Sequence, residues 1–211
     1  MSDATPGTNA MQHPGATSSA ASQAPTDMAV TREELHFRRI DMRGYQRSDG
    51  LFEVEGRVTD RKPHDFSPGG GGKEVPANQP IHDMGVRLVF DEQMTVHGVE
   101  TFMDSMPYLE CRGGGQALQS LIGLRIGSGW SREVRNRLSG AQSCTHLMEI
   151  LIPLATTALQ SLSVKRHGLP DRLDATGRPV KIDSCYAYGA QRSIVQRRWP
   201  EFYRPPEVPQ E

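Results

Sequence analysis

Residues 38–60 read RRIDMRGYQRSDGLFEVEGRVTD, and the alternation in this stretch is typical of β-structure. Phe52, Val54 and Val58 alternate with charged or polar neighbours, which is the period-two pattern of a β-strand with one solvated face. The turn residues Ser48-Asp49-Gly50 come just before this strand, and another alternating segment precedes them. The stretch therefore predicts an antiparallel hairpin.

A second hairpin is predicted further along the chain. Val86, Leu88 and Phe90 alternate in the same way, Asp91-Glu92-Gln93 has turn chemistry, and Met94–Met103 returns as a partner strand. The connection between the two hairpins is rich in proline and contains a run of four glycines, so it is too irregular for a tight turn. Because it lacks the Gly-Lys-Ser/Thr ending of a phosphate-binding loop, we interpret it as a flexible surface connector.

The second half of the chain has helical periodicity. Trp130, Val134 and Leu138 recur at i, i+4 and i+8, and residues 147–162 carry the longest apolar face, which Pro153 is expected to bend. The remaining predicted elements are a short helix at residues 117–122 and an edge strand at Lys181–Tyr188. Strands followed by helices indicate an α+β class, with an antiparallel sheet of two hairpins and helices packed on one face.

Composition divides the chain of 211 residues into one ordered unit and two tails. Residues 1–30 contain no Lys, Arg, Leu, Ile or aromatic residue, so they cannot bury enough surface to order themselves. Prolines interrupt regular structure at the other end. We therefore expect a disordered tail at 1–30, a single α+β domain at 36–204 and a second disordered tail at 205–211.

Charge and hydropathy limit the classes of partner. The net charge is -1, so the protein has no overall field to concentrate nucleic acid. No unbroken apolar run approaches the roughly 20 residues that cross a bilayer, and the N-terminal tail lacks the basic residues of a secretory signal. We expect a cytoplasmic protein with thiol cysteines, a small-molecule substrate, and no nucleic-acid or membrane partner. The sequence leaves the oligomeric state open.

Two thiols and an imidazole fall where the predicted fold can bring them together. Cys144 comes just before the long helix, where free amides and the helix dipole favour a thiolate. His82-Asp83 opens the second hairpin and Cys111 follows its return strand, so both lie at one end of the sheet. This pattern favours a metal site of His82, Cys111 and Cys144 for zinc or iron, with His146, Asp83 or water as the fourth ligand.

In this hypothesis the catalytic residues are Asp83, Cys144 and His146. Cys144 is the activated thiolate, and Asp83 or His146 carries the proton. A buried structural cysteine beside a surface histidine is the alternative interpretation of Cys144 and His146. Cys185 alternates on the predicted edge strand, and we interpret it as a core residue.

The chain also carries four longer motifs, namely Arg38–Phe66, Pro80–Leu88, Leu121–Trp130 and Ser143–Gln160. Together they resemble the bacterial family catalogued as domain of unknown function 2889, and they cover nearly all of the ordered unit. Members resemble this chain at His82-Asp83, Cys111 and Cys144-Thr145-His146. The resemblance implies a role in aromatic-acid catabolism and defines no reaction.

A second likeness concerns residues 81–162, in which a hairpin, a cysteine loop and a cysteine-capped helix follow one another. This order is similar to that of the NifU-type iron-sulfur scaffold proteins, and it implies a NifU/SufE-like arrangement. By that resemblance the ligand positions fall near His82, on Cys111 and on Cys144. The match lies in order and spacing, so it transfers no function by itself.

Three functions are compatible with these features. The first is a small-molecule enzyme of the lyase or hydrolase class that uses a metal or an activated cysteine in a Cys/His/Asp pocket. The second is a non-enzymatic metal or iron-sulfur carrier. The third is a binding or regulatory module whose cysteines are structural.

Overall fold

The computed structural model describes residues 30–166 and 168–206. Most of the predicted N-terminal tail, and the part of the C-terminal tail after residue 206, lie outside the described residues. The strands are β1 (Phe37–Gln46), β2 (Phe52–Arg61), β3 (Pro80–Phe90) and β4 (Val96–Ser105). The α-helices are α1 (Gly113–Gln116), α2 (Trp130–Leu138), α3 (Thr145–Arg166) and α4 (Ser193–Arg198).

The four strands form one antiparallel sheet in the order β1-β2-β3-β4, which confirms the predicted α+β class. The first turn is closed by a hydrogen bond from Arg47 N to Leu51 O of 2.9 Å, and Gly50 adopts a φ of 87° there. That conformation favours glycine. The turn fixes the register of β1 against β2, and this register determines which residues of the two strands lie opposite each other.

One face of the sheet packs against α3 and forms the core. The alternating residues of β2, such as Val54, are buried on this face together with Leu151 and Leu154 of the helix. Gly56 allows a close approach, because a Cβ at that position would lie 3.3 Å from a methyl carbon of Leu154. Helix α2 joins the same core, and the indole N–H of Trp130 donates a 2.9 Å hydrogen bond to the carbonyl of Leu151.

Helix α3 runs through Pro153 and remains a single element. Proline has no N–H to donate, so one backbone hydrogen bond of the helix is missing at this point. Residues Thr145–Lys165 are long and apolar enough to cross a membrane by length and composition alone. The core helix of a globular domain passes the same test, and Leu147, Leu151 and Leu154 are buried in this core.

The opposite face of the sheet is charged. Arg57 of β2 contacts Asp83 of β3 and Asp104 of β4, and Arg87 of β3 contacts three glutamates on the neighbouring strands. Each exposed ion pair of this kind contributes about 0–1 kcal/mol. This face is partly exposed to solvent, and the helices that the structure describes pack against the other face.

The C-terminal segment does not contain the edge strand expected at Lys181–Tyr188. Asp183 has a φ of 64°, and turn hydrogen bonds such as Ser184 N to Lys181 O replace a ladder. Cys185 is exposed here, which contradicts its assignment to the core. The buried side chains of this segment form a small separate core of Ile182, Ala190, Val195 and Trp199.

Candidate metal centre

Three neighbouring strands place three polar side chains in one row on the helix-facing side of the sheet. Asp60 of β2 lies opposite Arg38 of β1 and opposite His82 of β3 in the strand register. The guanidinium of Arg38 donates to both carboxylate oxygens of Asp60, from Nε to Oδ1 at 2.7 Å and from Nη2 to Oδ2 at 2.8 Å. Nδ1 of His82 lies 3.1 Å from Oδ2 of the same carboxylate.

Helix α3 adds a second imidazole to this row from above the sheet. Nε2 of His146 lies 3.6 Å from Asp60 Oδ2, and the His82 and His146 rings are 3.9 Å apart between centroids. His36, just before β1, approaches the other carboxylate oxygen, with Nε2 3.4 Å from Oδ1. The Asp60 side chain is only 1% exposed. The side chains around this buried carboxylate form one cluster, which consists of His36, Arg38, His82 and His146 together with Asp60.

Asp60, His82 and His146 form a compact group of candidate metal ligands. One ligand atom from each residue lies within 4.8 Å of the other two, so this buried group could hold a metal ion. In a tetrahedral site with bonds of about 2.0–2.1 Å, ligand atoms are about 3.3 Å apart. The separations of 3.1 Å and 3.6 Å from Asp60 Oδ2 bracket that value. Two imidazoles and one carboxylate are ligands that both zinc and iron accept.

Both imidazoles are biased toward the neutral form that binds metals. The pKa of His82 is lowered from 6.5 to about 4, chiefly because burial desolvates the ring and also because His146 is close. Burial likewise lowers the pKa of His146, with Arg38 adding to the effect. Burial alone would raise the pKa of Asp60, but the hydrogen bonds and charge of Arg38 lower it overall. The cluster thus holds an ionised carboxylate beside neutral imidazoles.

The lowered pKa of His82 predicts an acid-sensitive fold when no metal is bound. Between pH 6.5 and about pH 4 the unfolded chain binds a proton that the folded chain refuses, so stability falls with decreasing pH across this window. The loss from His82, whose side chain is 17% exposed, should reach roughly 3 kcal/mol at the acid end. Urea unfolding in chelator should show a shallower pH dependence for His82→Gln than for the wild type.

The matched control for this prediction is His64→Gln. His64 is exposed and takes part in no side-chain hydrogen bond or ion pair among the described residues. We expect the pH dependence of the control to follow that of the wild type. Identical acid slopes for the wild type and His82→Gln would contradict the proposed desolvation of His82.

A cavity of about 410 Å³ adjoins the cluster, and most of the site residues predicted from the sequence line it. Its lining includes His82, Cys111, Cys144 and His146, together with Tyr108. The structure therefore brings the predicted imidazoles and thiols around one cavity. Among the described residues, however, Cys111 and Cys144 do not belong to a group of three ligand atoms within 4.8 Å.

The position of Cys144 explains why its thiol is outside the metal group. Cys144 precedes the first residue of α3, and its carbonyl accepts the N–H of Met148 at 3.0 Å, so it occupies the predicted N-cap position. Its Sγ lies 3.6 Å from the thioether sulfur of Met84, which is in the core. A Cβ on Gly114 would come within 2.5 Å of Cys144 N, so the turn after Cys111 packs directly on the helix start.

Asp83, the other predicted proton carrier, lies on the opposite face of the sheet. Successive side chains of a strand point to opposite faces, so Asp83 points away from the cavity that His82 borders. Its carboxylate accepts hydrogen bonds from Arg57 and Thr59 on the charged face. The carboxylate beside His82 in the site is instead Asp60, which the predicted ligand set omits.

The glycine-rich connector supports one wall of the cavity. The hydroxyl of Tyr108 donates a 2.9 Å hydrogen bond to the carbonyl of Pro68, and Lys73 N donates to the carbonyl of Pro107 at 2.9 Å. A Cβ on Gly72 would lie 2.8 Å from the Tyr108 ring. The interpretation as a flexible surface connector is therefore incomplete, because these contacts attach part of the loop to Pro107 and Tyr108, which line the cavity.

Comparison with known proteins identifies one family model that matches the chain. It is described as "Protein of unknown function (DUF2889)" and matches residues 36–160, which is more than half of the 211 residues. The matched region contains all four strands, the cluster and the cavity. No curated protein and no solved structure matches the chain, so the expected likeness to NifU-type scaffold proteins is not supported.

Proposed function

The chain belongs to the DUF2889 family of proteins of unknown function, and we propose that it is a metal-dependent enzyme that acts on a small molecule. The single observation that carries this proposal is the convergence of Asp60, His82 and His146 around one point beside a cavity. Three protein ligands that leave a further position open are the usual arrangement of a catalytic rather than a structural metal site.

The metal would supply Lewis-acid chemistry. A divalent ion in such a site polarises a carbonyl oxygen or lowers the pKa of a bound water, which serves a hydrolase or a lyase. Zinc and iron both fit the two nitrogen ligands and one oxygen ligand. The protein's own contribution is to keep both imidazoles neutral and the carboxylate ionised, as their lowered pKa values favour.

The cavity favours a small and uncharged reacting group. Its lining contains no Lys or Arg, and Glu110 is the only side chain of fixed charge among the described residues that line it. Apart from the proposed ion, a phosphate or a polyanion would find no cationic side chain there. We therefore propose a carbonyl compound of modest size as the substrate. The aromatic-compound catabolism that the family resemblance implies would fit an aromatic carbonyl compound whose ring lies against Tyr108.

Metal analysis of the full-length protein tests the proposal. After loading with Zn²⁺ or Fe²⁺ and removal of free ions, the wild type should retain about one ion per chain. His82→Ala and His146→Ala should each bind the ion at least 100-fold more weakly, since even residues that only hydrogen-bond a metal ligand change affinity by about 10–100-fold. Addition of a chelator should abolish hydrolysis of an ester and amide panel by the loaded protein.

His97→Ala is the matched control, because it removes a histidine that contacts a carboxylate on the surface and not in the cluster. It should retain the ion. A wild type that holds no stoichiometric ion would overturn the proposed metal centre. Stoichiometric binding without turnover of any carbonyl substrate would favour the carrier function instead.

A further inference from the structure

We propose that Arg38 is a positioning residue, whose forked guanidinium holds Asp60 in the orientation that a metal ion requires. This inference rests on the metal centre proposed above and concerns how that centre is assembled. Arg38 itself offers no ligand atom to a cation. Its effect would act entirely through the carboxylate, so it differs in kind from the contributions of His82 and His146.

The contact between Arg38 and Asp60 restricts the carboxylate. Nε and Nη2 of Arg38 reach different oxygens, at 2.7 Å and 2.8 Å, so rotation of the carboxylate about its last bond would break both hydrogen bonds. Each carboxylate oxygen has two acceptor positions, and the guanidinium occupies one on each. Oδ2 therefore keeps an acceptor position for an ion on the side of His82 and His146.

Burial makes this restraint necessary. Asp60 is 1% exposed, whereas Arg38 is 37% exposed, so the carboxylate depends on its protein neighbours and the guanidinium can still reach water. Within the described residues, Arg38 is the only Lys or Arg within 4.0 Å of Asp60. Without it the carboxylate could turn toward His36, which already lies 3.4 Å from Oδ1.

Helix α3 contacts the other side of the guanidinium. Nη1 of Arg38 lies 3.5 Å from the carboxylate of Glu149, which follows His146 by three residues and so lies near it on the helix surface. The same helix therefore presents one proposed ligand and one further contact to Arg38. Both side chains of this pair are more than one-third exposed, so the contact is weaker than the fork to Asp60.

Arg38 could also oppose metal binding, because its positive charge repels a cation. Orientation of the carboxylate and repulsion of the cation predict opposite changes in metal affinity when Arg38 is replaced. Arg38 is more than one-third exposed, which screens its charge, whereas its fork acts on a fully buried carboxylate. Residues that hydrogen-bond a metal ligand typically raise affinity about 10–100-fold. We therefore expect orientation to outweigh repulsion.

Co²⁺ titration followed by visible absorption tests this inference on the full chain. Arg38→Gln should bind Co²⁺ about 10–100-fold more weakly than the wild type, with an altered ligand-field spectrum because the carboxylate is free to turn. Arg38→Lys keeps the charge and lacks the fork, so it should recover little of the lost affinity. Arg39→Gln is the matched control, because Arg39 is the next residue and pairs with Asp41. It should behave like the wild type.

The outcomes separate this inference from the metal centre itself. Equal or tighter Co²⁺ binding by Arg38→Gln, or full recovery by Arg38→Lys, would overturn the positioning role while the metal centre stands. A wild type that binds no Co²⁺ would overturn both. Because Arg38→Lys retains the charge opposite Asp60, it decides the question even where Arg38→Gln fails to fold.

Discussion

Replacing Leu151 with alanine is expected to lower the free energy of unfolding by about 2–5 kcal/mol, the range for emptying a buried leucine site. Leu151 is 0% exposed and lies on the face of α3 that packs against the sheet. Its carbonyl also accepts the indole N–H of Trp130, so the surrounding backbone is held in place and cannot easily close the cavity. Incomplete relaxation of this kind favours the upper half of the range.

Leu159→Ala is the matched control for this prediction. It makes the same change on the same helix, but Leu159 is 42% exposed. Its substitution should cost less than about 1 kcal/mol, because truncating a partly exposed side chain removes less buried apolar surface. Urea midpoints that move equally for both variants would contradict the assignment of the core face.

Asp60→Asn is expected to lower the free energy of unfolding by about 2–3 kcal/mol and to abolish metal binding. The amide fits the same space, but it removes the charge that balances Arg38 and offers only one oxygen to the two donors of the fork. Loss of one partner from a fully buried ion pair costs about 3–5 kcal/mol, and we reduce this value because Arg38 is 37% exposed.

Asp41→Asn is the corresponding control on the neighbouring strand. Asp41 pairs with Arg39, and the two side chains are 40% and 63% exposed, so the change should cost less than about 1 kcal/mol. Denaturant unfolding of the two variants in chelator measures the contribution of the ion pair to the free energy of unfolding separately from that of a bound metal. Equal losses would show that burial of Asp60 adds nothing to its pair with Arg38.

The sheet and the main helices could be predicted from the sequence because their side chains repeat with a single period. Alternation places Val54 and Val58 on the buried face of β2, and the 3.6-residue period places Leu151 and Leu154 on the buried face of α3. The edge strand expected at Lys181–Tyr188 fails because a positive φ at Asp183 cannot be inferred from an apolar pattern.

The site is harder to predict because it depends on register and not on local pattern. Arg38 and Asp60 are each eleven residues from Asp49, the centre of the first turn, so the predicted hairpin already implies that they face each other. Extending the same reasoning to β3 would add His82, whereas its chain neighbour Asp83 has the opposite parity. This register argument was the signal that could have placed Asp60 and Arg38 in the site.

The cysteines show a different limit of sequence patterns. The spacing correctly indicates that Cys111, Cys144 and His82 share one end of the fold, and all three line the cavity. Which way a capping side chain turns depends on its tertiary neighbours, and Cys144 turns toward the sulfur of Met84. The cysteine thiols were therefore weaker indicators of the candidate metal centre than a carboxylate whose strand register places it between two neighbouring strands.

Strand β1 is an edge strand of the sheet, and we expect this position to affect the dynamics of the cluster. An edge strand is bonded to a single neighbour, so it can open locally at a lower free energy than the central strands. Opening of β1 would withdraw Arg38 and admit water to Asp60 while β2 and β3 stay paired. We expect the amide hydrogens of β1 to exchange with solvent faster than those of β2, and a bound ion to slow that exchange without any contact to the strand.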